Sequence, residues 1–418
     1  MAATGRFGWS GRQSAETRPL DHYNLPSQTQ AQERLGRLLR PLERLLRIEA
    51  LGGIVLLAAA VLALAWANSP WSAWYERTWA APVAFGIGPT ETLRFWINDG
   101  VMTLFFLMVG LDLRHEFHQG ILSDLRRAFL PIATATGGMI VPALIYLGLN
   151  TGPVSSRGWG VPIATDIAFS LGMLMLLGRR VPPNLRLLLL ALATVDDIGS
   201  VLVVALFYPQ AVSITGLLIA AGGILGMLLL LRFGVGRLLA YTLAATIVWM
   251  GTFRAGLHPG IAGIPIGLLV PMKKGETLHR IVAYAITPLF ALANAGVSIE
   301  GFALSVNSSM GVVWGVLLGR VLGKPAGILL ASFATITAGI CALPPGVTWR
   351  GILTIGCLAG IGLTVPIYVA GVAFADQHLL AAAKLGLILA SVASAAIGLF
   401  MGRLLLARAS RPMEAPEE

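Results

Sequence analysis

The feature that most constrains this sequence is a series of apolar runs, each about 20 residues long, that recurs from residue 48 to residue 404. Roughly 20 apolar residues in helical form span the ~30 Å hydrocarbon core of a lipid bilayer. The chain has 418 residues, of which 56% are hydrophobic and 12% are charged, so a water-soluble fold cannot bury this much apolar surface. The sequence therefore predicts an all-α polytopic membrane protein embedded in a lipid bilayer.

The length rule predicts about twelve transmembrane helices. Their approximate bounds are 48–67, 95–113, 128–149, 160–178, 185–208, 213–232, 238–253, 257–271, 281–299, 310–333, 347–373 and 379–405. This divides the chain into a polar and amphipathic N-terminal segment, 1–47, a transmembrane domain, 48–405, and a short tail, 406–418.

The basic residues predict the orientation of these helices, because Lys and Arg in short loops stay on the cytoplasmic side. Most of the 30 Lys and Arg residues fall on one side, which places both termini in the cytoplasm. Those expected on the other side are Arg77, Arg94, Arg157, Arg254 and Lys384. The net charge of +10 thus reflects membrane topology, and we expect no nucleic-acid partner.

Acidic residues inside the apolar runs point to function, because each costs several kcal/mol unless it faces a cavity or a partner. Asp196 and Asp197 lie side by side in LLLLALATVDDIGSVLVVALFY. Neighbouring helical residues point about 100° apart, so the two carboxylates should have different surroundings and roles. Lys324 is a possible partner on another helix. A static salt bridge and a proton-carrying pair both remain open for Asp196 and Lys324.

Two of the predicted helices carry signals for a break. Pro162 lies shortly before Thr165 and Asp166, and GCLAGIGLTVPIYVAG is rich in Gly and contains Pro366. Two interrupted helices, one in each half, are typical of transporters with inverted-topology repeats and a site at the midplane. Asp166 and Lys324 would then neutralise the half-helix ends. Close helix packing is the alternative explanation for the glycines.

The charged residue Arg320 lies four positions before Lys324 in the same predicted helix. The two therefore share a helical face. We expect the long Arg320 side chain to snorkel to the membrane interface, which would leave only its apolar stem in the hydrocarbon.

The motifs together resemble the NhaA family of bacterial sodium/proton antiporters over roughly residues 45–405. They are INDGVMTLFFLMVGLDLRHEFHQG, ATDIAFSLG, ATVDDIGSVLVVALFY, AGLHPGIAGIPIG, PLFALANAGVS, LGKPAGI and GCLAGIGLTVPIYVAG, in family order and spacing. This family is itself a standard case of inverted repeats with broken helices. The resemblance implies a multi-pass protein of the bacterial inner membrane, a homodimer, and a secondary transporter rather than an enzyme. It implies no cofactor.

The resemblance also implies an ion site and a mechanism. Sodium or lithium would bind Asp197, with Asp166 and Thr165 nearby, while Asp196 would pair with Lys324. External protons would be exchanged electrogenically for cytoplasmic sodium by alternating access, with protons and cation competing for the buried aspartates. The activity would serve pH and sodium homeostasis and rise at alkaline pH.

Family positions for the pH response match Asp112, Glu116 and His258, although a loop-end role is equally open for His258. Two departures from the family pattern stand out. Glu276 is not a secure match to an acidic pH-sensing position, and Arg320 replaces an expected apolar residue. The pH profile and the charge balance near Lys324 are therefore expected to differ from the family pattern.

Three other classes of protein fit the composition less well. A bile-acid-type sodium symporter would need sodium sites without the Asp pair. An intramembrane aspartyl protease places its two aspartates on different helices in YD and GxGD settings, and this sequence has no GxGD. A channel uses rings of charge from repeated subunits, which an internally duplicated chain does not supply.

Overall fold

The computed structural model describes residues 51–84, 90–120, 125–209, 212–271, 275–297 and 306–406. The predicted N-terminal segment 1–47 lies outside the described residues, as do residues 407–418 of the predicted tail.

Helices α1 to α14 make up most of the described chain. In order they are α1 (Leu51–Ala67), α2 (Ser72–Ala80), α3 (Leu93–Phe95, Met102–Gln119), α4 (Leu125–Leu149), α5 (Ile167–Met175), α6 (Pro183–Phe207), α7 (Ile214–Arg232), α8 (Leu238–Arg254), α9 (Gly263–Leu269), α10 (Glu276–Ile281, Thr287–Asn294), α11 (Val306–Leu318, Lys324–Thr337), α12 (Trp349–Ala359), α13 (Thr364–Ala373) and α14 (Gln377–Leu406). The two pieces of α3, α10 and α11 are joined by π-helical turns at Trp96–Val101, Val282–Ile286 and Gly319–Gly323. Short 3-10 turns lie at Ser155–Gly160, Gly178–Arg180 and Pro259–Ala262.

Each predicted apolar run overlaps one or more of these helices. Among the described residues, six helices are long and apolar enough to cross a membrane, or eight if each of two sharply bent pairs counts as one. The structure thus confirms a mostly helical membrane protein, while the count of twelve spans stays a prediction.

A small β-hairpin makes the all-α prediction incomplete. Strands β1 (Pro82–Ala84) and β2 (Thr90–Thr92) pair antiparallel, with Val83 opposite Glu91. Strands of three residues are too short to show an alternating pattern in the sequence. The hairpin follows α2, which turns 114° away from α1.

Both predicted helix breaks are present. Residues 161–166 leave helical geometry between the 3-10 turn Ser155–Gly160 and α5. Residues 360–363 separate α12 from α13, whose axes differ by 50°. The first break therefore has a tight 3-10 turn on one side, whereas the second has a true α-helix on each side.

Glycines bring α11 against α4 at the level of the breaks. A Cβ on Gly327 would lie 2.1 Å from the carbonyl oxygen of Gly137, and a Cβ on Gly137 would lie 2.3 Å from that of Gly327. The two backbones touch, and a side chain at either position would push the helices apart. This contact holds Lys324, at the start of the second piece of α11, in the interior.

Candidate functional site

The two broken segments satisfy each other's backbone groups. The amide of Asp166 donates to the carbonyl oxygen of Ile361 at 2.9 Å, and Ser170 Oγ donates to that of Leu358 at 2.8 Å. Irregular backbone is tolerated at membrane depth only where protein or water supplies such partners. The contact between the breaks therefore explains how both persist in one membrane domain.

Asp166 lies where two helices begin. Its Oδ1 accepts from the amide of Phe169 at 3.2 Å and caps α5. Its Oδ2 accepts from the amide of Thr364 at 3.4 Å and from Thr364 Oγ1 at 2.9 Å, at the start of α13. A carboxylate is stabilised at a helix N-terminus by the partial positive charge there. Asp166 thus lies at a half-helix end as expected, and it contacts the starts of both broken segments, while its neutralising role stays a prediction.

Asp196 and Lys324 form the predicted pair, and both side chains are completely buried. Lys324 Nζ donates to Asp196 Oδ2 and also to Thr165 Oγ1, the latter at 2.6 Å. The Thr165 hydroxyl lies 2.6 Å from Asp196 Oδ2 and 3.0 Å from the carbonyl oxygen of Ala359. Thr165 was predicted beside sodium, and here its hydroxyl joins the Asp196–Lys324 pair. It thereby ties that pair to both breaks.

Asp197 follows on the same helix and is 4% exposed. Its charge acts on the Lys324 ammonium together with that of Asp196. Because adjacent helical residues point about 100° apart, Asp197 presents its carboxylate to different surroundings from Asp196. The role of Asp197 as the sodium ligand stays a prediction.

The prediction that Arg320 snorkels to the interface is wrong. Arg320 is completely buried, its Nε donates to the carbonyl oxygen of Gly360 at 2.9 Å, and its Nη1 lies 3.5 Å from that of Val161. A Cβ on Gly362 would lie 2.2 Å from Arg320 Nη2, so a side chain at this position would require the guanidinium to shift. Arg320, rather than Lys324, is thus the cation at the carbonyl ends of both broken segments.

Buried acidic side chains outnumber buried basic side chains at this crossing. Three carboxylates, those of Asp166, Asp196 and Asp197, face two cations, Arg320 and Lys324. Within the described residues, no group of three or more His, Cys, Asp or Glu side chains could hold a metal ion. Counted in their ionised forms, these five side chains would leave one negative charge in excess.

The predicted pH-response residues do not form one cluster. Asp112 and Glu116 lie one turn apart on α3, and Asp112 Oδ2 is 3.4 Å from Nε2 of His279 on α10. His258 Nδ1 instead lies 3.8 Å from Asp99 Oδ1. Asp99 and Asp112 are about 20 Å apart along α3 at 1.5 Å per residue. The three positions therefore belong to two separate sites.

The sequence reasoning singled out neither His279 nor Asp99. Asp99 is 6% exposed, and its Oδ1 also lies 3.3 Å from the amide of Gly260 and 3.5 Å from the hydroxyl of Tyr368. Asp99 is in a quoted motif, INDGVMTLFFLMVGLDLRHEFHQG, and a buried aspartate in an apolar run was the available signal. His279 had no comparable signal, because it borders a basic loop.

Comparison with known proteins shows which family this chain is similar to. The family model described as Na+/H+ antiporter 1 matches residues 43–401. The Na(+)/H(+) antiporter NhaA 2 of Sorangium cellulosum is 47% identical over an alignment that covers 91% of this chain and 93% of that protein. The Na(+)/H(+) antiporter NhaA of Cupriavidus necator is 44% identical, with 90% and 92% covered.

A solved structure of low sequence identity shares the fold. The sodium proton antiporter MjNhaP1 from Methanocaldococcus jannaschii aligns with a TM-score of 0.54 at 12% identity and covers 90% of this chain and 100% of that one. Antiport of sodium against protons needs no cofactor, and the bacterial relatives place a multi-pass chain of this kind in the inner membrane. The chain belongs to the Na+/H+ antiporter 1 family, and it is a transporter rather than an enzyme.

Proposed function

We propose that this chain expels cytoplasmic sodium in exchange for external protons. The observation that carries the proposal is the excess of buried carboxyl groups over buried cations, three against two, at the crossing of the two broken segments. A net charge in the membrane interior costs several kcal/mol. One sodium ion or one proton can neutralise the Asp197 carboxylate, but not both together. Competition between the two cargoes for one charge is the physical basis of exchange.

The three carboxylates have different proposed roles. Asp166 is oriented by two helix N-termini and by Thr364, and Asp196 is held by Lys324. Asp197 supplies the third carboxylate and is the proposed primary ligand for sodium or lithium, with Asp166 and Thr165 on the adjacent break completing the site. Proton binding at Asp197 displaces the cation, and cation binding displaces the proton.

A second proton site makes the proposed exchange electrogenic. The Asp196–Lys324 pair holds one mobile proton in a buried contact, and separation of the pair releases or captures it. If each cycle carries one proton at Asp197 and one at this pair against one sodium ion, net positive charge moves inward. The membrane potential would then help to drive sodium out.

The proposed transport cycle is alternating access. The breaks of the two segments would move together, because Arg320 donates to a carbonyl oxygen of one and lies beside that of the other. Inverted-topology repeats, twelve spans, cytoplasmic termini and a homodimer belong to the same proposal, and they rest on the family and on the distribution of basic residues.

Alkaline activation is proposed at the end of α3 that holds Asp112 and Glu116. His279 Nδ1 lies 3.4 Å from the carbonyl oxygen of Gly275, and its Nε2 faces Asp112. Both ring nitrogens face acceptors, so only the protonated imidazolium can donate to both. Rising pH removes this charge and weakens the contact between α3 and α10. His258, beside Asp99, is the proposed second pH-dependent position.

The decisive experiment follows a pH-sensitive dye in everted membrane vesicles after addition of sodium. Asp197→Asn is expected to abolish sodium-induced dequenching at normal expression. Asp376→Asn is the matched control, because Asp376 is exposed and caps α14 outside the cluster; it should retain full exchange. Potassium should give no signal. Normal exchange by Asp197→Asn would remove the proposed site, and sodium binding to purified protein without proton release would remove the exchange mechanism.

A further inference from the structure

A separate polar cavity of about 270 Å³ lies between α3, α10, α13 and α14. Its polar lining comes from two cations and three amides, namely Arg94, Lys384, Asn98, Asn294 and Gln377. The cavity is at the end of the domain that the charge distribution predicts to face outward. None of these residues belongs to the aspartate cluster.

Lys384 is the first sign that this cavity takes a ligand. The residue is 8% exposed and lines the cavity, and within the described residues its ammonium makes no hydrogen bond or ion pair. Arg94 and Glu76 are the charged groups that act on it. A buried charge with no direct partner is strongly unfavourable. Lys384 therefore calls for a negative partner in the cavity.

Arg94 supplies a second uncommitted donor. Its Nη2 lies 3.2 Å from Glu76 Oε2 on the exposed side, whereas its Nε is buried and has no hydrogen-bond partner among the described residues. Asn98 and Asn294 bond each other through their amides, at 3.2 and 2.7 Å. An amide nitrogen carries two protons, and one on Asn98 Nδ2 is left over. The cavity thus offers three kinds of donor.

The charges around the cavity determine the charge of the ligand that it can bind, and the cavity volume determines the size of that ligand. Among the described residues, Glu76 is the acidic group that acts on Arg94 and Lys384, so with both cations charged the cavity has one positive charge in excess. A cation is repelled from it, and a divalent anion would leave an excess of negative charge. A volume near 270 Å³ holds a small anion with several waters, since each water occupies about 30 Å³.

We propose that this cavity binds one small monovalent anion between the Lys384 ammonium, the Arg94 guanidinium and the amide of Asn98. Chloride is the free anion of this class, and a lipid phosphate carrying one negative charge is the other source of the same chemistry. The site stands independently of the proposed sodium exchange, because it shares no residue with it. Its occupant neutralises the outward-facing mouth between α3 and α14.

The test is equilibrium binding of radioactive chloride to the purified full-length protein in detergent, with gluconate replacing chloride at constant ionic strength. We expect one saturable site per chain. Lys384→Gln should weaken binding about tenfold or more, because it removes a charge-assisted hydrogen bond. Lys384→Arg should retain binding. Arg254→Gln, which removes an exposed cation predicted on the same side but outside the cavity, should leave binding unchanged.

Measurements in lipid nanodiscs distinguish free chloride from a lipid phosphate as the occupant of the site. If added phosphatidylglycerol displaces chloride from the wild type, and Lys384→Gln abolishes that competition, the site is confirmed with a lipid phosphate as its occupant. If phosphatidylglycerol has no effect, saturable chloride binding confirms the free anion. Absence of saturable chloride binding and of lipid competition in the wild type overturns the proposal. So does a Lys384→Gln variant that binds as the wild type does. The wild-type measurement decides the matter even if a variant fails to fold.

Discussion

Asp166 and Thr364, 198 positions apart, are joined by a hydrogen bond of 2.9 Å between Thr364 Oγ1 and Asp166 Oδ2. The same carboxylate caps α5 and faces the first amide of α13. One side chain therefore fixes where two broken segments restart as helices. The contacts that orient Asp166, a proposed sodium ligand, are therefore the same contacts that set the geometry of the breaks.

Thr364→Val tests this coupling. It removes a hydroxyl donor from a buried carboxylate, and hydrogen bonds to charged groups contribute roughly 1.5–3 kcal/mol. We expect a lower melting temperature of the purified protein and a higher sodium concentration for half-maximal exchange. Thr364→Ser keeps the donor and should behave like the wild type. If Thr364→Val matched Thr364→Ser in both measurements, the contact would have no role in orienting Asp166.

Arg320 and Gly362 are expected to be interdependent. Gly362→Ala places a methyl group 2.2 Å from Arg320 Nη2 and should lower both the melting temperature and the exchange rate. In an Arg320→Met background the guanidinium is absent, so the further loss caused by Gly362→Ala should be smaller. A double-mutant cycle on melting temperature measures this difference. Strictly additive changes in melting temperature would show that steric contact between Arg320 and position 362 does not affect stability.

Arg320→Lys separates charge from shape at the same position. An ammonium is a compact point charge, whereas the guanidinium is a planar fork with several fixed donors. Lys should therefore lose the simultaneous approach to the carbonyl oxygens of Gly360 and Val161. We expect a stability loss close to that of Arg320→Met. Wild-type stability in Arg320→Lys would mean that only the positive charge is needed.

Local rules were sufficient for much of this fold. The length of apolar runs located the long helices, and a Pro or clustered Gly within a run located the breaks near Pro162 and Gly360. The pairing of Asp196 with Lys324 followed from the cost of leaving either charge buried alone. In each case the prediction depends on residues within one apolar run, or on a buried charge that has few possible partners.

Long-range contacts explain what the sequence did not predict. Arg320 meets carbonyl oxygens 40 and 159 positions away, which are free only because two helices break there. When a single helix in lipid is considered alone, a long cationic side chain such as that of Arg320 is expected to snorkel to the interface. Lys384 was likewise counted as a topology signal, although it lines a buried cavity. Both roles depend on which helices meet, and the periodicity of a single helix does not encode that.

The Asp196–Lys324 pair gives a test that separates stability from charge transport. Lys324→Met leaves a buried carboxylate without its partner, a change that typically costs about 3–5 kcal/mol. Lys324→Met combined with Asp196→Asn removes both charges and should recover much of the lost melting temperature. If the pair carries the second proton, the double variant should also move less charge per cycle, measured by solid-supported-membrane currents. A double variant as unstable as Lys324→Met would contradict the pairing energetics, and unchanged charge per cycle would show that the pair carries no proton.

The contact between Asp112 and His279 predicts the direction of a pH shift. The imidazolium is present at low pH and is lost as pH rises, so the ion pair stabilises the protein only on the acidic side. Arg114 does not substitute for it, because its guanidinium donates to the carbonyl oxygen of Val270 at 3.0 Å. If this pair holds the inactive form, His279→Gln should activate exchange at lower pH and His279→Lys at higher pH.

The expected shift is modest, because Asp112 is 39% exposed. Half-exposed ion pairs contribute up to about 1 kcal/mol, which is below one pH unit at roughly 1.4 kcal/mol per unit. The measurement is the midpoint of exchange rate against pH in everted vesicles. His378→Gln removes an exposed histidine from the start of α14 and serves as the control. Equal midpoints for the wild type and both His279 variants would assign the pH response to other groups, beginning with His258, whose Nδ1 lies 3.8 Å from Asp99 Oδ1.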